Sequence, residues 1–384
     1  VIFFSHSAGK GVICMGIDAE KTGFDYDVAV IGCGPAGATF ARLVSPHRRV
    51  IVFEKQNGGG KPADLEFGKC CGGLLAPDAQ KQLALQGLTL PRDILVDPQI
   101  FAVRTMDIAG SGQAKLPERY YQRSYINLSR LRFDNWLRSL CPTERILKCA
   151  YVKSVSRLSE SRGFAVEYVK NNQRNTVTAG LLVGADGGQS LVRRLFFPNN
   201  GIDRYAAVQE WYGASDLSPF YGAVFDAELT DCYGWLISKD RYLVAGGAFP
   251  LDGAAQRFSA FKEKLKGRGI PLENPVKREG CLVCRPKSIS SVCDGKDGVF
   301  LIGEAAGFIS PSSLEGISWA LESGALLAGV LSGEPQGANR RYHSAVRGIR
   351  LRLAGKMLKS PFLYTPFIRH IILKSGVASL SIDL

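Results

Sequence analysis

A short apolar run, Asp27–Val–Ala–Val–Ile–Gly32, passes directly into Gly32–Cys33–Gly34–Pro35–Ala36–Gly37, and this junction restricts the fold more than any other stretch of the chain. The run has the length and apolar content of a strand buried in a parallel sheet. A helical stretch through Ala38, Phe40, Ala41 and Leu43 follows, and a second strand, Arg49–Val–Ile–Val–Phe53, ends at Glu54. Strand, glycine turn, helix, strand and terminal acid are the parts of a dinucleotide-binding βαβ unit. Each part has a task. Gly32 permits the turn, Gly34 lets a pyrophosphate approach the backbone, and Gly37 lets helix and strand pack closely. Pro35 and Ala36 open the helix, whose first N–H groups lack intrahelical partners and suit a phosphate. Glu54 can accept hydrogen bonds from the ribose hydroxyls of an adenosine. By itself this unit does not distinguish a nicotinamide from a flavin dinucleotide.

The rest of the composition narrows the class. A length of 384 residues allows two or three domains at roughly 150 residues each. With 46% hydrophobic and 22% charged residues, a mainly disordered chain is excluded. No window approaches the ~18–20 uninterrupted apolar residues of a membrane-spanning helix. Only four histidines are present, which leaves little room for His-based metal chemistry. The ten cysteines are scattered, and Val1–Phe4 is too short for the apolar part of an export signal, so a reduced, cytoplasmic setting is expected. Cys281–Leu–Val–Cys284 has metal-like spacing but no second pair. On a strand its two side chains point to opposite faces, and no metal site is expected. Residues 1–24 are set apart as an N-terminal extension.

Charge is unevenly placed. From Arg340 to Lys374 there are nine Lys or Arg, and no acid lies between Glu334 and Asp383, so the last fifty residues carry +8 of the net +13. Leu351, Leu353, Ala354, Met357, Leu358, Phe362 and Leu363 interleave with the basic residues at helical spacing before Pro361 and Pro366 interrupt. A basic amphipathic helix of this kind suits an anionic membrane surface. The expected contact runs through residues 340–374, peripherally at the inner face of the cell membrane. No nucleic-acid-binding motif accompanies the patch, and nucleic acid is not an expected partner.

Two later segments select the cofactor. Leu181–Leu–Val–Gly184–Ala185–Asp186–Gly187–Gly188 is a buried strand entering a glycine turn. Val299–Phe–Leu–Ile–Gly303–Glu304–Ala305–Ala306–Gly307 is another, and it leads to Glu315–Gly316–Ile317–Ser318. With the first turn, these resemble the three-part FAD signature of the para-hydroxybenzoate hydroxylase-like flavoproteins. Further residues narrow the resemblance: Lys69–Cys70–Cys71–Gly72–Gly73–Leu74, Arg130–Leu–Arg–Phe133–Asp134, Tyr233–Gly234–Trp235–Leu–Ile–Ser–Lys239 and Phe308–Ile–Ser–Pro–Ser–Ser. On these the chain is similar to the geranylgeranyl reductase family, and most so to its bacterial CbrA-type oxidoreductases. Two departures stand out. Glu304 takes the place of the superfamily's Asp, and Ile237 and Ser238 replace the Phe and Pro of the archaeal reductases.

The resemblance implies an α/β fold: a Rossmann-like FAD-binding domain, a second, mostly antiparallel β-sheet substrate domain and a C-terminal helical appendix. Because the FAD segments are far apart, that domain is expected to be discontinuous, over 25–80, 120–195 and 281–335. The substrate domain then takes 81–119 and 196–280, and the basic helical region 336–384. Strands over Tyr221–Phe225 and Tyr242–Phe249 and a polar helix over Ala255–Gly267 are predicted there. The resemblance further implies that Lys55, Gly72, Gly73, Arg130, Asp186, Gly303, Glu304 and Gly307 join the first turn in holding FAD. A helix opening at Gly316 and Ile317 points its positive end at the flavin.

Tyr233 and Trp235 are the expected walls of an apolar cavity over the flavin. No histidine falls in the predicted pocket, which leaves Cys, Tyr or water as proton donor. Cys70 and Cys71 are candidates, since the Lys69 ammonium beside them favours a thiolate. The expected function is an FAD-dependent oxidoreductase that reduces C=C bonds of a polyprenyl or other lipid-like substrate by hydride transfer from reduced flavin. An FAD-dependent monooxygenase and a non-catalytic flavin-containing lipid-binding protein are the alternatives. The Trp-x-Trp-x-Ile-Pro run of flavin halogenases is missing around Trp235. With a single dinucleotide turn, taken by FAD, the electron donor is NADPH docking transiently or another redox protein.

Overall fold

The computed structural model describes residues 23–56, 70–109, 118–159, 163–213 and 219–380; Lys69 and most of the N-terminal extension lie outside them. The chain begins with β1 (Tyr26–Ile31), α1 (Pro35–Val44) and β2 (Val50–Glu54). It crosses to a second sheet through β3 (Leu74–Leu75), α2 (Pro77–Leu85), β4 (Ile100–Asp107) and β5 (Arg119–Asn127). It returns to the first with α3 (Arg130–Ser139), β6 (Ile146–Lys148), β7 (Tyr151–Arg157), β8 (Phe164–Lys170), β9 (Gln173–Gly184) and α4 (Leu191–Phe196). The second sheet is then completed by β10 (Arg204–Gly213), β11 (Phe220–Phe225), β12 (Gly234–Lys239), β13 (Tyr242–Pro250), α5 (Ala254–Lys266) and β14 (Lys277–Cys284). Last come β15 (Gly295–Lys296), β16 (Val299–Leu301) and the helices α6 (Ile317–Leu331), α7 (Ala338–Ala345), α8 (Arg347–Tyr364) and α9 (Pro366–Ser375).

The first sheet has the order β15-β16-β9-β1-β2-β6, with β8 and β7 continuing from β9. Its centre is parallel. Val28 and Val30 pair with Val50 and Val52 on one side and with Leu181 and Val183 on the other. A strand bonded on both edges and covered on both faces has no polar position to offer, hence the unbroken apolar run at 28–31. Helix α1 covers this sheet and packs against α6. The second sheet, β14-β10-β13-β12-β11-β4-β5-β3, is antiparallel except for the β4–β11 pair. Helix α5 turns Phe258, Phe261 and Leu265 inward, at i, i+3 and i+7, and keeps its polar face outward. Nearly all of β5 and the second half of β14, from Cys281, lie in segments read from sequence as FAD domain, yet both strands hydrogen-bond into this second sheet.

The C-terminal region departs from its sequence reading in three ways. Pro361 does not end α8, which runs on to Tyr364; Pro366 instead opens α9. A proline here removes one N–H donor and crowds the carbonyl of Met357, a cost that falls in the last turn of the helix. Secondly, α8 has two opposed apolar stripes rather than one face: Ile349 and Leu353 are buried, whereas Leu351, Leu358 and Phe362 are exposed. Thirdly, Arg369 is not a surface cation. Its Nε lies 2.6 Å from Asp107 Oδ2, and both side chains are buried. Through Nη1 it also donates to the carbonyls of Leu363 and Tyr364, which ties the α8–α9 corner to β4. No helix among the described residues is long and apolar enough to cross a membrane.

Candidate functional site

The carboxyl ends of β1, β2, β9 and β16 converge, and each delivers one segment singled out in the sequence. Gly32 follows β1 with φ +97°, and a Cβ there would sit 2.6 Å from Ala185 O. A Cβ on Gly37 would sit 2.1 Å from Gly32 O, so the helix closes directly on the turn. Gly34, the N-cap of α1, is different: a Cβ there meets nothing within 4 Å. The turn therefore leaves an open cradle where a pyrophosphate would approach, which is the fit expected of a dinucleotide. Ala36 is buried behind it.

Glu54 is buried at the end of β2. Its Oε2 accepts the Cys33 N–H at 3.0 Å, and its Oε1 accepts the Gln56 N–H at 2.9 Å. Arg138 on α3 reaches over both partners, with Nη2 3.3 Å from Glu54 Oε2 and Nε donating to Cys33 O at 2.8 Å. A carboxylate has about four lone-pair positions, so one is left for a ribose hydroxyl. Lys55, next in the chain, is exposed. Asp186 follows β9. Its Oδ2 caps α4 by accepting the Leu191 N–H at 2.6 Å, while Oδ1 is buried without a partner. Burial pushes this carboxyl above the usual range, although hydrogen bonds from Ser190, Leu191 and Val192 pull the other way. A buried acceptor with an unused oxygen is the kind of group a cofactor hydroxyl satisfies. Gly303 follows β16 and donates its N–H to Ser323 Oγ; Gly307, four residues on, packs near Ile202 and Ser291.

Beside this turn lies a cavity of about 200 Å³ between the two sheets. Pro35 and Glu304 belong to its wall and so join it to the dinucleotide turn. Glu304 turns toward β14, where Oε1 accepts the Cys284 N–H at 2.9 Å. The N-terminus of α6 also opens into the cavity through Gly316, Ile317 and Ser318. No side chain caps that helix, and no acid stands in its first turn, so its partial positive charge is available to an anion. The apolar wall is Leu74, Trp235, Ile237, Val283, Ile309 and Leu314.

Four side chains chosen from sequence as catalytic, Cys70, Cys71, Tyr233 and Trp235, all face this cavity, as do Gly72, Gly73 and Arg130. Trp235 Nε1 donates to Gln209 Oε1 at 3.2 Å, and Tyr233 donates to Ser313 O at 2.6 Å. Arg130 grips Asp134 through two bonds of 2.8 and 3.2 Å. For Cys70 the acid–base sense is opposite to the sequence expectation. A hydrogen bond with the Cys281 thiol, and then burial, push Cys70 upward and keep it a thiol. Sequence reasoning did not assign to the cavity three residues from distant strands, Tyr125 on β5, Tyr221 on β11 and Cys281 on β14; Glu315, from the segment that leads into Gly316, lines it too. Tyr125 donates to Glu315 Oε1 at 2.9 Å, and Glu315 pairs with the exposed Arg123 at 3.3 Å. No histidine among the described residues lines the cavity.

One buried cation supports the Cys70–Gly73 loop from behind. Lys239 Nζ donates to Asn127 Oδ1 at 2.7 Å and to Leu128 O at 2.8 Å, under Gly73. Burial lowers its pKa from the ordinary 10.5 to about 7, against the pull of Cys71 and Asp240. The unfolded chain keeps this proton up to 10.5, whereas the folded protein releases it near 7, so unfolding takes up a proton between those values. Stability therefore rises with pH across that window. Urea titrations from about pH 7 to pH 8.5, below the titration of the unfolded chain's cysteines, should show an increase of roughly 2 kcal/mol. Lys239→Met should remove that slope, and an equal slope in the variant would refute the assignment.

No family model matches the chain. It is 44% identical over 354 residues to Protein CbrA of Escherichia coli O9:H4 (strain HS), covering 92% of this chain and 94% of that protein. Among solved structures, a geranylgeranyl bacteriochlorophyll reductase-like protein from Thermoplasma acidophilum superposes with a TM-score of 0.73 at 18% identity, covering 91% of this chain and 90% of that one. PqsL of Pseudomonas aeruginosa, described as a probable FAD-dependent monooxygenase, gives 0.64 at 15% identity, over 92% and 99% of the two chains. The fold is that of the FAD-binding oxidoreductases.

Proposed function

The chain belongs to the CbrA family, and from that premise we propose that it is an FAD-dependent oxidoreductase that reduces carbon–carbon double bonds of a polyprenyl or other lipid-like substrate. The observation that carries this reading is the apolar cavity that meets the open glycine turn at Pro35 and Glu304. Residues of the turn, Gly32, Gly34, Gly37, Glu54 and Asp186, would hold the adenosine and pyrophosphate side. Gly303, Glu304, Gly316 and Ile317 would hold the flavin side. Reduced flavin supplies a hydride when bound, and NADPH or a redox protein docking transiently supplies its electrons.

The chain itself must orient the double bond and deliver a proton to the carbon that does not receive the hydride. Leu74, Ile237, Trp235 and Leu314 exclude water from an alkene-sized space. Trp235 and Tyr233 have spent their polar atoms on Gln209 and Ser313, so they present their rings to the substrate. Tyr125 is the proton donor we assign. Burial, and then the neighbouring Glu315, push its hydroxyl upward and keep it a phenol; its proton, donated to Glu315 Oε1 at rest, turns to the substrate carbon for transfer. Glu315, one-fifth exposed and paired to Arg123, leads from solvent to that hydroxyl.

The test is anaerobic. The purified protein is reduced, offered polyprenyl alcohols and phosphates, and followed by flavin reoxidation and product mass. A gain of two hydrogens supports the reductase; a gain of oxygen, seen only in air, makes it a monooxygenase. No turnover with bound, reducible flavin would reject catalysis. Tyr125→Phe should slow reoxidation by substrate about 10²-fold with flavin content unchanged. Unchanged rates would remove Tyr125 from the proton path.

A further inference from the structure

Eight of the fifteen large hydrophobic side chains that are exposed among the described residues fall between Leu351 and Leu380. They are not scattered. On α8, Leu351, Leu358 and Phe362 are 74%, 75% and 59% exposed and share one face at i, i+7 and i+11. On α9, Phe367 and Ile371, at i and i+4, are 73% and 51% exposed. Contiguous exposed apolar side chains of this size mark an interaction site rather than ordinary surface.

The charge around them says what the partner is. Arg347 and Lys359 flank the α8 stripe and Lys374 ends the α9 stripe; all three are exposed, and no ion pair is seen for them among the described residues. The other cations of the region divide differently: Arg350 and Arg352 pair with Asp294 and Glu322, and Arg369 is inside. An apolar stripe edged with unpaired cations, and with no acid on either helix, matches the headgroup–acyl boundary of an anionic bilayer. The element is also rigid. The buried Arg369–Asp107 pair and the inner stripe of α8 fix it to the body of the protein.

We propose that the outer faces of α8 and α9 form a docking surface for an anionic lipid bilayer, with Leu351, Leu358, Phe362, Phe367 and Ile371 entering the interface and Arg347, Lys359 and Lys374 meeting the headgroups. This rests on exposure and charge and is independent of the redox reading. It also gives the cavity a lipid source. The inner side of the same α8 end, Leu363 and Tyr364, packs on the cluster that contains Tyr233 and Trp235, and Tyr364 donates to Ser312 O at 2.6 Å. The bilayer and the cavity wall are thus separated by about one helix diameter, ~10 Å.

The experiment is co-sedimentation of the full chain with vesicles of phosphatidylcholine alone and of phosphatidylcholine with phosphatidylglycerol. Binding should require phosphatidylglycerol and weaken as salt is raised. Leu358→Asp with Phe362→Asp, and separately Arg347→Glu with Lys359→Glu, should each weaken it about tenfold or more while circular dichroism is unchanged. Equal binding to both vesicles would overturn the anionic assignment. No vesicle binding, together with a dimer that the same aspartates dissolve, would assign the face to a second copy of the chain instead and overturn the proposal.

Discussion

Gly34→Val should purify as a folded protein that has lost its flavin. The space ahead of Gly34 is open in the protein alone: a Cβ added there meets nothing within 4 Å, so the fold should tolerate a side chain at this position. That same space is the approach path of the pyrophosphate, and three added carbons block it. A displacement costing about 3 kcal/mol weakens retention more than about a hundredfold, enough to lose the cofactor on a column. The neighbouring glycine separates this effect from simple misfolding. Gly37→Ala puts its Cβ 2.1 Å from Gly32 O, which is backbone and cannot yield, so that variant should be destabilised whether or not flavin is present. Flavin absorbance and a urea midpoint measured on both variants distinguish the two outcomes. A fully yellow Gly34→Val protein would show that the turn does not hold the cofactor.

Arg138→Ala should be among the most damaging single changes away from the glycines. Its guanidinium lies between the Glu54 carboxylate and the Cys33 carbonyl, and the two side chains are 6% and 8% exposed. Truncation leaves a buried carboxylate with its N–H donors but no countercharge. Breaking such a pair from one side costs about 3–5 kcal/mol, out of a total stability of about 5–15 kcal/mol. Glu54→Gln should cost a comparable amount, because it leaves Arg138 buried without its countercharge and turns an amide NH2 toward one of the two backbone N–H donors that Glu54 accepts. Denaturant titration reads both. A loss below about 1 kcal/mol in Arg138→Ala would place this pair with ordinary surface ion pairs.

Arg138 also shows where reading the sequence stops. Glu54 was legible because strand, turn, helix and strand occur in order over a short stretch, and local order brings the acid to the turn. Arg138 stands on α3, more than eighty residues later, in a helix whose pattern carries no sign of a partner. The cavity repeats the lesson. Cys70, Cys71, Tyr233 and Trp235 belong to runs that mark a family, and they do converge. Tyr125, Tyr221 and Cys281 are single residues on strands whose pairing decides which side chains share a wall, and pairing of distant strands leaves no local trace. Burial can even reverse a local inference. A lysine next to Cys70 in sequence suggests a thiolate, yet its contact with Cys281, from the far end of the second sheet, keeps the thiol protonated.

The basic tail divides the same way. Its charge surplus and helical spacing are properties of the sequence alone, because they need only a count and a period. Which residues of α8 face inward was decided by packing. Apolar side chains stand on both sides of that helix, and the core that receives Ile349 and Leu353 selects the side that meets the protein and the side left outside. Local order in the chain thus determined the dinucleotide turn, the fold class and the family. The cavity, its acid–base groups and the outward stripe were decided by contacts between residues far apart in sequence, where burial and neighbouring charge set the chemistry.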